Sequence, residues 1–343
     1  MSNRIRYIDM SKGFAIILVI LGHMMYTPSK LKVLLYIFHI PLFFFLSGYT
    51  FSVKKYTSFF VFFKKKLQTI IFPYFLMNIS IFFIKSVILQ PESILKVDVI
   101  YFIKALFLAD RLHIYYQLWF LNVLFISELI CYFVVKLCDV WYKWFSVFLT
   151  LLVLGYFGGL AYQRQYWLIW SIDLVPYATI FVLMGFIVKC NIEIVSRFLN
   201  KMYFLVAVVG AIVLGVYNYK LYGGVRVDLY YQETNSVFLY FSSAFMGIWA
   251  TLIFFRNIFP LNFLERIGKN TLVYYAYHSP IVLYLIDIIM RQVIPKYSGI
   301  FGNAYVVTAF VLVCALIGCE LIAYVINTSF PFMLGRISYK KCK

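Results

Sequence analysis

The chain has 343 residues, of which 64% are hydrophobic and 13% are charged, whereas soluble domains are about 45–50% apolar and about 25% charged. This composition excludes an ordinary soluble protein. It predicts an all-α polytopic membrane bundle, with a single transmembrane domain over residues 1–343 and no soluble domain. The formal net charge is +18, and in so apolar a chain we expect the positive residues to meet anionic lipid, not nucleic acid.

A membrane-spanning helix needs about 20 predominantly apolar residues, and ten stretches meet this requirement. Most of the 31 Lys and Arg residues fall in alternate connections between these stretches. By the positive-inside rule, this bias places both termini in the cytoplasm. The predicted spans are residues 10–27, 32–53, 67–89, 116–137, 144–161, 168–188, 203–221, 236–255, 271–290 and 304–326.

The first predicted span begins with charged residues and ends with a histidine. Lys12 and His23 are separated by about three helical turns plus 20°, at roughly 100° per residue, so they share one face of a helix. Asp9 falls on the same face, and a rise of about 1.5 Å per residue places His23 some 16 Å deeper than Lys12. An ionisable group inside a membrane is costly unless it faces protein or a water-filled cavity, so His23 is a candidate functional residue.

The second predicted span contains His39, a few residues after a short turn at residues 27–32. In a helical hairpin, His23 and His39 are expected at similar depth. Pro41 removes a backbone donor and loosens the helix beside His39. We interpret His39 either as a catalytic residue or as a hydrogen-bonded packing residue.

Two connections on the predicted outer side carry polar and aromatic residues that suit a sugar. The first, residues 91–117, contains Arg111 and His113, and its apolar part at residues 99–108 (VIYFIKALFL) is expected to lie in the membrane interface. The second, residues 222–235 (YGGVRVDLYYQETN), mixes glycine, charge and tyrosine. Each is a candidate contact for an acceptor, and the first is at least as consistent with a solvated loop.

Three acidic residues lie inside predicted spans, where each needs a partner or a wet cavity. Asp287 is near the end of its span and can reach water. Glu128 and Glu320 are deeper, and both are candidates for orienting a histidine. Ser47 has no visible triad partner, so a serine nucleophile is the weaker interpretation.

Several segments resemble the acyltransferase-3 family of integral-membrane O-acyltransferases, in particular its small members that acetylate sugars of surface polysaccharides. The run D-x-x-K-G-x-x-I-x-x-V-x-x-G-H, from Asp9 to His23, is similar to the family's opening motif, although many members have Arg where this chain has Lys12. Further similar segments follow in the family's order, as far as about residue 280. They are FHIPLFFFLSGY, FPY at residues 72–74, WFL at residues 119–121, and TLVYYAYHSPI, which contains His278.

The resemblance implies a membrane enzyme that takes an acyl group, usually acetyl, from a cytoplasmic acyl-CoA. Transfer to a sugar hydroxyl needs a base, and a histidine pKa of about 6.5 suits that role. We predict His23 as the general base, with His39 and Asp9 as further catalytic residues. Acceptor contacts are predicted for Trp119, Glu128 and His278. The CoA phosphates are expected on a cytoplasmic basic rim made of Arg6, Lys12, Lys54, Lys55, Lys64, Lys65, Lys66 and Lys269.

Two function hypotheses from different classes follow. The first is an O-acetyltransferase of the bacterial cell membrane that uses acetyl-CoA as co-substrate and modifies a surface polysaccharide or a lipid-linked glycan. The alternative is a transporter or flippase of a glycan or anionic substrate, because intramembrane charge and broken helices also occur there. The six cysteines show no metal-ligand spacing, so no metal is predicted. The sequence leaves open a homo-oligomer, or a separate extracytoplasmic partner that receives the acyl group.

Overall fold

The computed structural model describes residues 5–89, 99–109, 118–163 and 168–336. In these residues the architecture is built from helices, which confirms the all-α prediction. In chain order they are α1 (Arg6–His23), α2 (Ser29–Thr50), α3 (Phe59–Ser86), α4 (Val99–Leu108), α5 (Trp119–Leu137), α6 (Trp141–Gln163), α7 (Ile169–Cys190), α8 (Lys201–Leu221), α9 (Val237–Asn257), α10 (Asn262–Lys269), α11 (Thr271–Lys296) and α12 (Ala304–Ser329).

Nine helices in the described part of the chain are long and apolar enough to cross a membrane. They are α2, α3, α5 to α9, α11 and α12, and they coincide with nine of the ten predicted spans. The remaining predicted span is α1, which forms an 18-residue helix but carries Arg6, Asp9 and Lys12. The predicted number of spans, about ten, is therefore confirmed except for α1. The cytoplasmic location of both termini stays a prediction.

The outer connection between α3 and α5 is described only in part. A helix forms at Val99–Leu108, as the apolar pattern predicts. Arg111 and His113, which the sequence analysis offered as acceptor contacts, lie outside the described residues, as do Arg4 and the lysines of the C-terminal tail.

Helix α1 lies at the centre of the bundle, where it contacts α2, α9, α10, α11 and α12. Its approach to α10 depends on glycine, because a Cβ at Gly13 would overlap the Leu264 carbonyl and a Cβ at Gly268 would overlap the Asp9 carbonyl. The first span is therefore enclosed by protein along most of its length. This placement gives its ionisable residues protein neighbours instead of lipid.

Irregular turns interrupt several spanning helices, among them α2, α3, α7 and α11. Helix α2 is interrupted at Phe38 and starts again at His39. Helix α3 has a wide π-type turn at Leu67–Ile71, and α11 has another at His278–Leu283, around Pro280. Turns of this kind free backbone groups and frequently occur at functional sites. The interruptions of α2 and α11 each place a histidine at their edge.

Candidate active site

His23 is the last residue of α1, and His278 begins the wide turn of α11. The centroids of their imidazole rings are 5.1 Å apart. His278 is 1% exposed, whereas His23 is exposed. One ring is therefore enclosed by protein and the other faces open space, and together they form the centre of the candidate site.

The hydrogen bonds of His278 determine which ring nitrogen carries the proton. Its Nδ1 lies 3.0 Å from the carbonyl oxygen of Tyr274 and 2.8 Å from that of Tyr275. Because a carbonyl oxygen only accepts, Nδ1–H is the donor, and Nε2 of the neutral ring keeps its lone pair. Nε2 is buried and has no hydrogen-bond partner among the described residues. It can therefore accept a hydrogen bond from a neighbouring group in the site.

His39 is linked to the end of α1 through Tyr36. The Tyr36 ring approaches α1 so closely that a Cβ at Gly22 would lie 3.1 Å from it. The same ring packs edge-on against His39, with 4.7 Å between centroids. His39 is buried and donates its Nδ1–H to the Leu35 carbonyl at 2.8 Å. This burial favours the packing interpretation of His39 over a direct catalytic role.

The connection between α8 and α9 folds back to reach Tyr36. The guanidinium carbon of Arg226 lies 3.7 Å from the centroid of the Tyr36 ring. Arg226 also forms an ion pair with Asp228 at 3.3 Å. Burial raises the pKa of Asp228 to about 6, and the charge of Arg226 opposes this rise. The connection thus brings a cation and a nearby carboxylate to the helix that carries His39.

Trp119, predicted to contact the acceptor, meets the same connection. Its ring lies 5.6 Å from the ring of Tyr230, measured between centroids. The neighbouring Phe120 donates its backbone N–H to the Tyr275 hydroxyl at 3.3 Å. The structure therefore links Trp119 to the residues 222–235 and, through Phe120, to the helix that carries His278.

A cavity of about 210 Å³ lies beside α1 and extends towards the histidines. Lys12 lines it, and so does Val19, which precedes His23 by about one helical turn. On the opposite wall, Tyr275 lies about one turn before His278. The rest of the lining is mainly apolar. We call this space the α1 cavity. It runs from Lys12 to Val19 and Tyr275, which are each about one helical turn from a site histidine.

Glu128 and Lys66 pair with each other, contrary to what the sequence suggested for each. The Lys66 ammonium lies 2.6 Å from Glu128 Oε2, and the Ser47 hydroxyl donates to Glu128 Oε1 at 2.8 Å. Glu128 was expected to contact the acceptor or to orient a histidine, but its described partners are these two residues. Lys66 was expected to hold a donor phosphate, but its charge is already matched inside the bundle.

Arg6 is also engaged within the protein. Its guanidinium binds the Glu265 carboxylate at 2.9 Å and the Asn262 side-chain oxygen at 2.9 Å, which fixes the start of α1 against α10. Asp9 is buried on the same stretch of helix. Arg6 is therefore tied to α10, and among the predicted donor-binding residues it is Lys12 that reaches the α1 cavity. Lys54, Lys55, Lys64 and Lys65 are exposed on the connection between α2 and α3 and the start of α3.

The two remaining intramembrane acids have partners other than histidine. Glu320 accepts a hydrogen bond from the Tyr274 hydroxyl at 2.6 Å and pairs with Arg266 at 2.9 Å. Glu320 was a candidate for orienting a histidine. With these two partners, it does not have that role. Asp287 pairs with Arg291 at 3.4 Å.

The sequence model of the acyltransferase-3 family, which describes an acyltransferase domain, matches residues 5–325. The chain belongs to this family. Neither a curated protein nor a solved structure matches it. The matched region begins at α1 and ends within α12, so it contains both walls of the α1 cavity and both histidines of the site. The resemblance seen in the sequence is confirmed: this is a multi-pass membrane acyltransferase.

Three residues of the candidate site were not singled out from the sequence. Tyr36 and Tyr275 each lie about one helical turn before a predicted site histidine, a spacing that places them on the same helix face as that histidine. Arg226 was visible only as a charge within the 222–235 connection. Its contact with Tyr36 depends on how that connection folds back. Helical periodicity does not predict the path of a connection.

Proposed function

We propose that this acyltransferase moves an acetyl group from cytoplasmic acetyl-CoA to a hydroxyl of a surface polysaccharide or lipid-linked glycan, in the bacterial cell membrane. The observation that carries the proposal is the α1 cavity, which has Lys12 at one level and ends about one turn from His23 and His278. A cation and a histidine on one helix face, with a narrow cavity that runs from the cation to about one turn short of the histidine, suit a donor whose charged and reacting ends are far apart.

The donor side of the proposal assigns the CoA phosphates to Lys12. A lysine binds phosphate as a point charge, which does not require the planar fork of arginine. The mainly apolar wall between Lys12 and Tyr275 suits the uncharged arm of the coenzyme, and the Ser47 and Thr69 hydroxyls on that wall suit its amide groups. The thioester then lies at the histidine end of the cavity.

The chemical step assigns the base to His23. His23 removes the proton of the acceptor hydroxyl while that oxygen attacks the thioester carbonyl, forming the new C–O bond. The tetrahedral intermediate collapses with cleavage of the C–S bond, and His23 returns the proton to the leaving thiolate. No other reactant is needed, so atoms and charge balance.

His278 acts in this proposal as a positioning residue. Its Nε2 carries a lone pair and has no partner among the described residues. A His23 N–H that donates to this nitrogen would leave the other ring nitrogen of His23 free to accept the substrate proton. Backbone hydrogen bonds to Tyr274 and Tyr275 hold the His278 ring in the required tautomer.

Purified protein incubated with radiolabelled acetyl-CoA tests the proposal. We expect the acetyl group to move to glycan isolated from cells of the source organism that lack this protein. We also expect His23→Gln to lower the transfer by about 10²- to 10⁴-fold while donor binding persists. A transporter or flippase would neither bind acetyl-CoA nor consume it, so an unchanged donor in the presence of wild-type protein and acceptor would overturn the proposal.

A further inference from the structure

The connection at residues 222–235 borders a second, larger cavity of about 600 Å³. Helices α6 and α7 and the start of α9 complete its wall, and in the described part of the chain it shares no lining residue with the α1 cavity. Its most frequent lining residue is tyrosine: Tyr156, Tyr162, Tyr177, Tyr222 and Tyr231. We call this space the tyrosine cavity.

Gln232 lines the tyrosine cavity and carries a buried acceptor without a partner. The residue is 7% exposed, and its Nε2 donates to the backbone and side-chain oxygens of Asp173 at 2.7 and 3.3 Å. Because both oxygens accept, the amide orientation is fixed and Oε1 is the free end. Oε1 is buried and has no hydrogen-bond partner among the described residues. A ligand that donates to Oε1 would relieve this unfavourable state.

Glu233 adds a carboxylate to the same wall. Burial raises its pKa, and the charge of Arg226 opposes the rise. Backbone hydrogen bonds of 2.7 and 3.0 Å join Glu233 to Asp228, which is the partner of Arg226. The short hairpin of residues 226–233 therefore separates the tyrosine cavity from the Arg226–Tyr36 contact near His39.

We propose that the tyrosine cavity is a carbohydrate subsite, which holds one sugar unit of a polymeric acceptor while another unit lies at His23. Tyrosine rings pack against the C–H faces of a sugar ring, and amide and carboxylate oxygens accept from its hydroxyls. Neither Lys nor Arg lines the cavity among the described residues, so its chemistry suits a neutral sugar and not a phosphate headgroup. The inference rests on the proposed function, since it assigns that enzyme a polymer instead of a single sugar as acceptor.

Binding of short and long acceptor fragments tests the subsite without any acyl donor. The probe is surface polysaccharide from source cells that lack this protein, cut into short fragments of one or two units and a graded series of longer fragments. The variants are Tyr156→Ala, Tyr231→Ala and Glu233→Gln. The matched control is Tyr305→Ala, at the start of α12. The exposed fraction of Tyr305 is 62%, which is comparable to 57% for Tyr156 and 46% for Tyr231.

We expect wild-type protein to bind long fragments more tightly than short ones. Each tyrosine variant should weaken long-fragment binding by about tenfold, as truncation of an aromatic contact does at binding sites. Short-fragment binding and the Tyr305→Ala control should be unchanged. Equal affinity for both lengths, absence of binding, or equal weakening of both fragments by the variants would overturn the subsite.

The remaining outcomes separate this inference from the proposed function. If the cavity variants lose co-purified lipid and keep wild-type affinity for long fragments, the occupant is a lipid headgroup and the subsite is wrong. If length-dependent binding is present but acetyl transfer from acetyl-CoA is absent, the subsite stands and the proposed function fails. If transfer occurs with no dependence on fragment length, the proposed function stands and the subsite fails.

Discussion

The imidazole of His278 lies 5.1 Å from that of His23, between ring centroids, and its proton-free Nε2 has no hydrogen-bond partner in the part of the chain that the structure describes. Two helices that are distant in the sequence thus bring together the proposed base and the residue proposed to orient it. This arrangement follows the general logic of a catalytic base held by a second residue. It also defines the first test of the site.

The first prediction concerns the base. His23→Gln should lower acetyl turnover by about 10²- to 10⁴-fold, the usual contribution of a positioned base, because glutamine cannot take up the proton. Acetyl-CoA affinity should persist, since the phosphate contact at Lys12 lies about 16 Å away. Transfer of radiolabel measures the first quantity and calorimetric titration of the donor measures the second.

His39→Gln and His278→Gln, measured beside it, complete this test. His278→Gln should lower kcat and leave both KM values unchanged, as expected for a residue that orients the base. His39→Gln should stay active if His39 only packs. An active His23→Gln protein together with an inactive His39→Gln protein would transfer the base assignment to His39.

The second prediction concerns the donor. Lys12→Ala should raise the KM for acetyl-CoA, whereas Lys12→Arg should retain most of the affinity because the positive charge remains. Donor binding should weaken with salt, since charges that solvent reaches are screened over roughly 8–10 Å at physiological ionic strength. Lys143→Ala is the control, because Lys143 pairs with Asp139 at 2.6 Å and does not line the α1 cavity. Unchanged donor affinity in folded Lys12→Ala protein would place the phosphates elsewhere.

The third prediction concerns stability. Lys66 and Glu128 form a largely buried ion pair at 2.6 Å, and removal of one partner leaves an uncompensated buried charge. Lys66→Met or Glu128→Leu should each destabilise the protein by about 3–5 kcal/mol. The double variant should recover most of this loss, because no buried charge remains. Thermal unfolding in detergent measures the effect, and an additive double variant would show that the two residues act independently.

The fourth prediction concerns pH. Burial raises the pKa of Asp228 from 3.8 to about 6, so the folded protein binds this proton more tightly than the unfolded chain. The stability contributed by Asp228 is therefore present below about pH 4 and is lost as the pH rises through about 6. Relative to Asp228→Asn, the wild-type free energy of unfolding should fall by roughly 1.4 kcal/mol per pH unit in this window.

Arg226→Gln provides the matched comparison for the pH experiment. Without the opposing cation, the pKa of Asp228 should rise further, and the loss of stability should extend above pH 6. Parallel stability profiles for wild-type protein and Asp228→Asn between pH 4 and pH 7 would contradict the raised pKa of Asp228.

The fifth prediction concerns topology. With both termini in the cytoplasm, reporter fusions after Lys66 and after Lys341 should both report a cytoplasmic location. The second position lies outside the described residues, so the fusion also tests the end of the chain independently of the structure. An external signal at either position would contradict the predicted orientation. The assignment of the cytoplasmic donor to Lys12 depends on that orientation.

The sequence by itself determined the fold class, nearly all the spans and the family. Apolar runs of about 20 residues and the spacing of Lys12 and His23 are local properties of the chain. The family motifs are equally local, since each lies within a single helix or turn. For these reasons His23, His278 and the Lys12 face of α1 could be named before any contact was known.

Only the tertiary structure decided which side chains meet. Glu128 and Lys66 each looked available in the sequence, yet helices α3 and α5 bring them together and cancel both charges. Arg6 is likewise held by Glu265, which follows it by 259 residues in the chain. Conversely, an irregular connection folds back against the helices. This path produces the Arg226–Tyr36 contact and leaves Gln232 Oε1 without a hydrogen-bond partner among the residues that the structure describes. Such pairings depend on how helices pack and loops return, and hydrophobic periodicity along one helix contains no information about either.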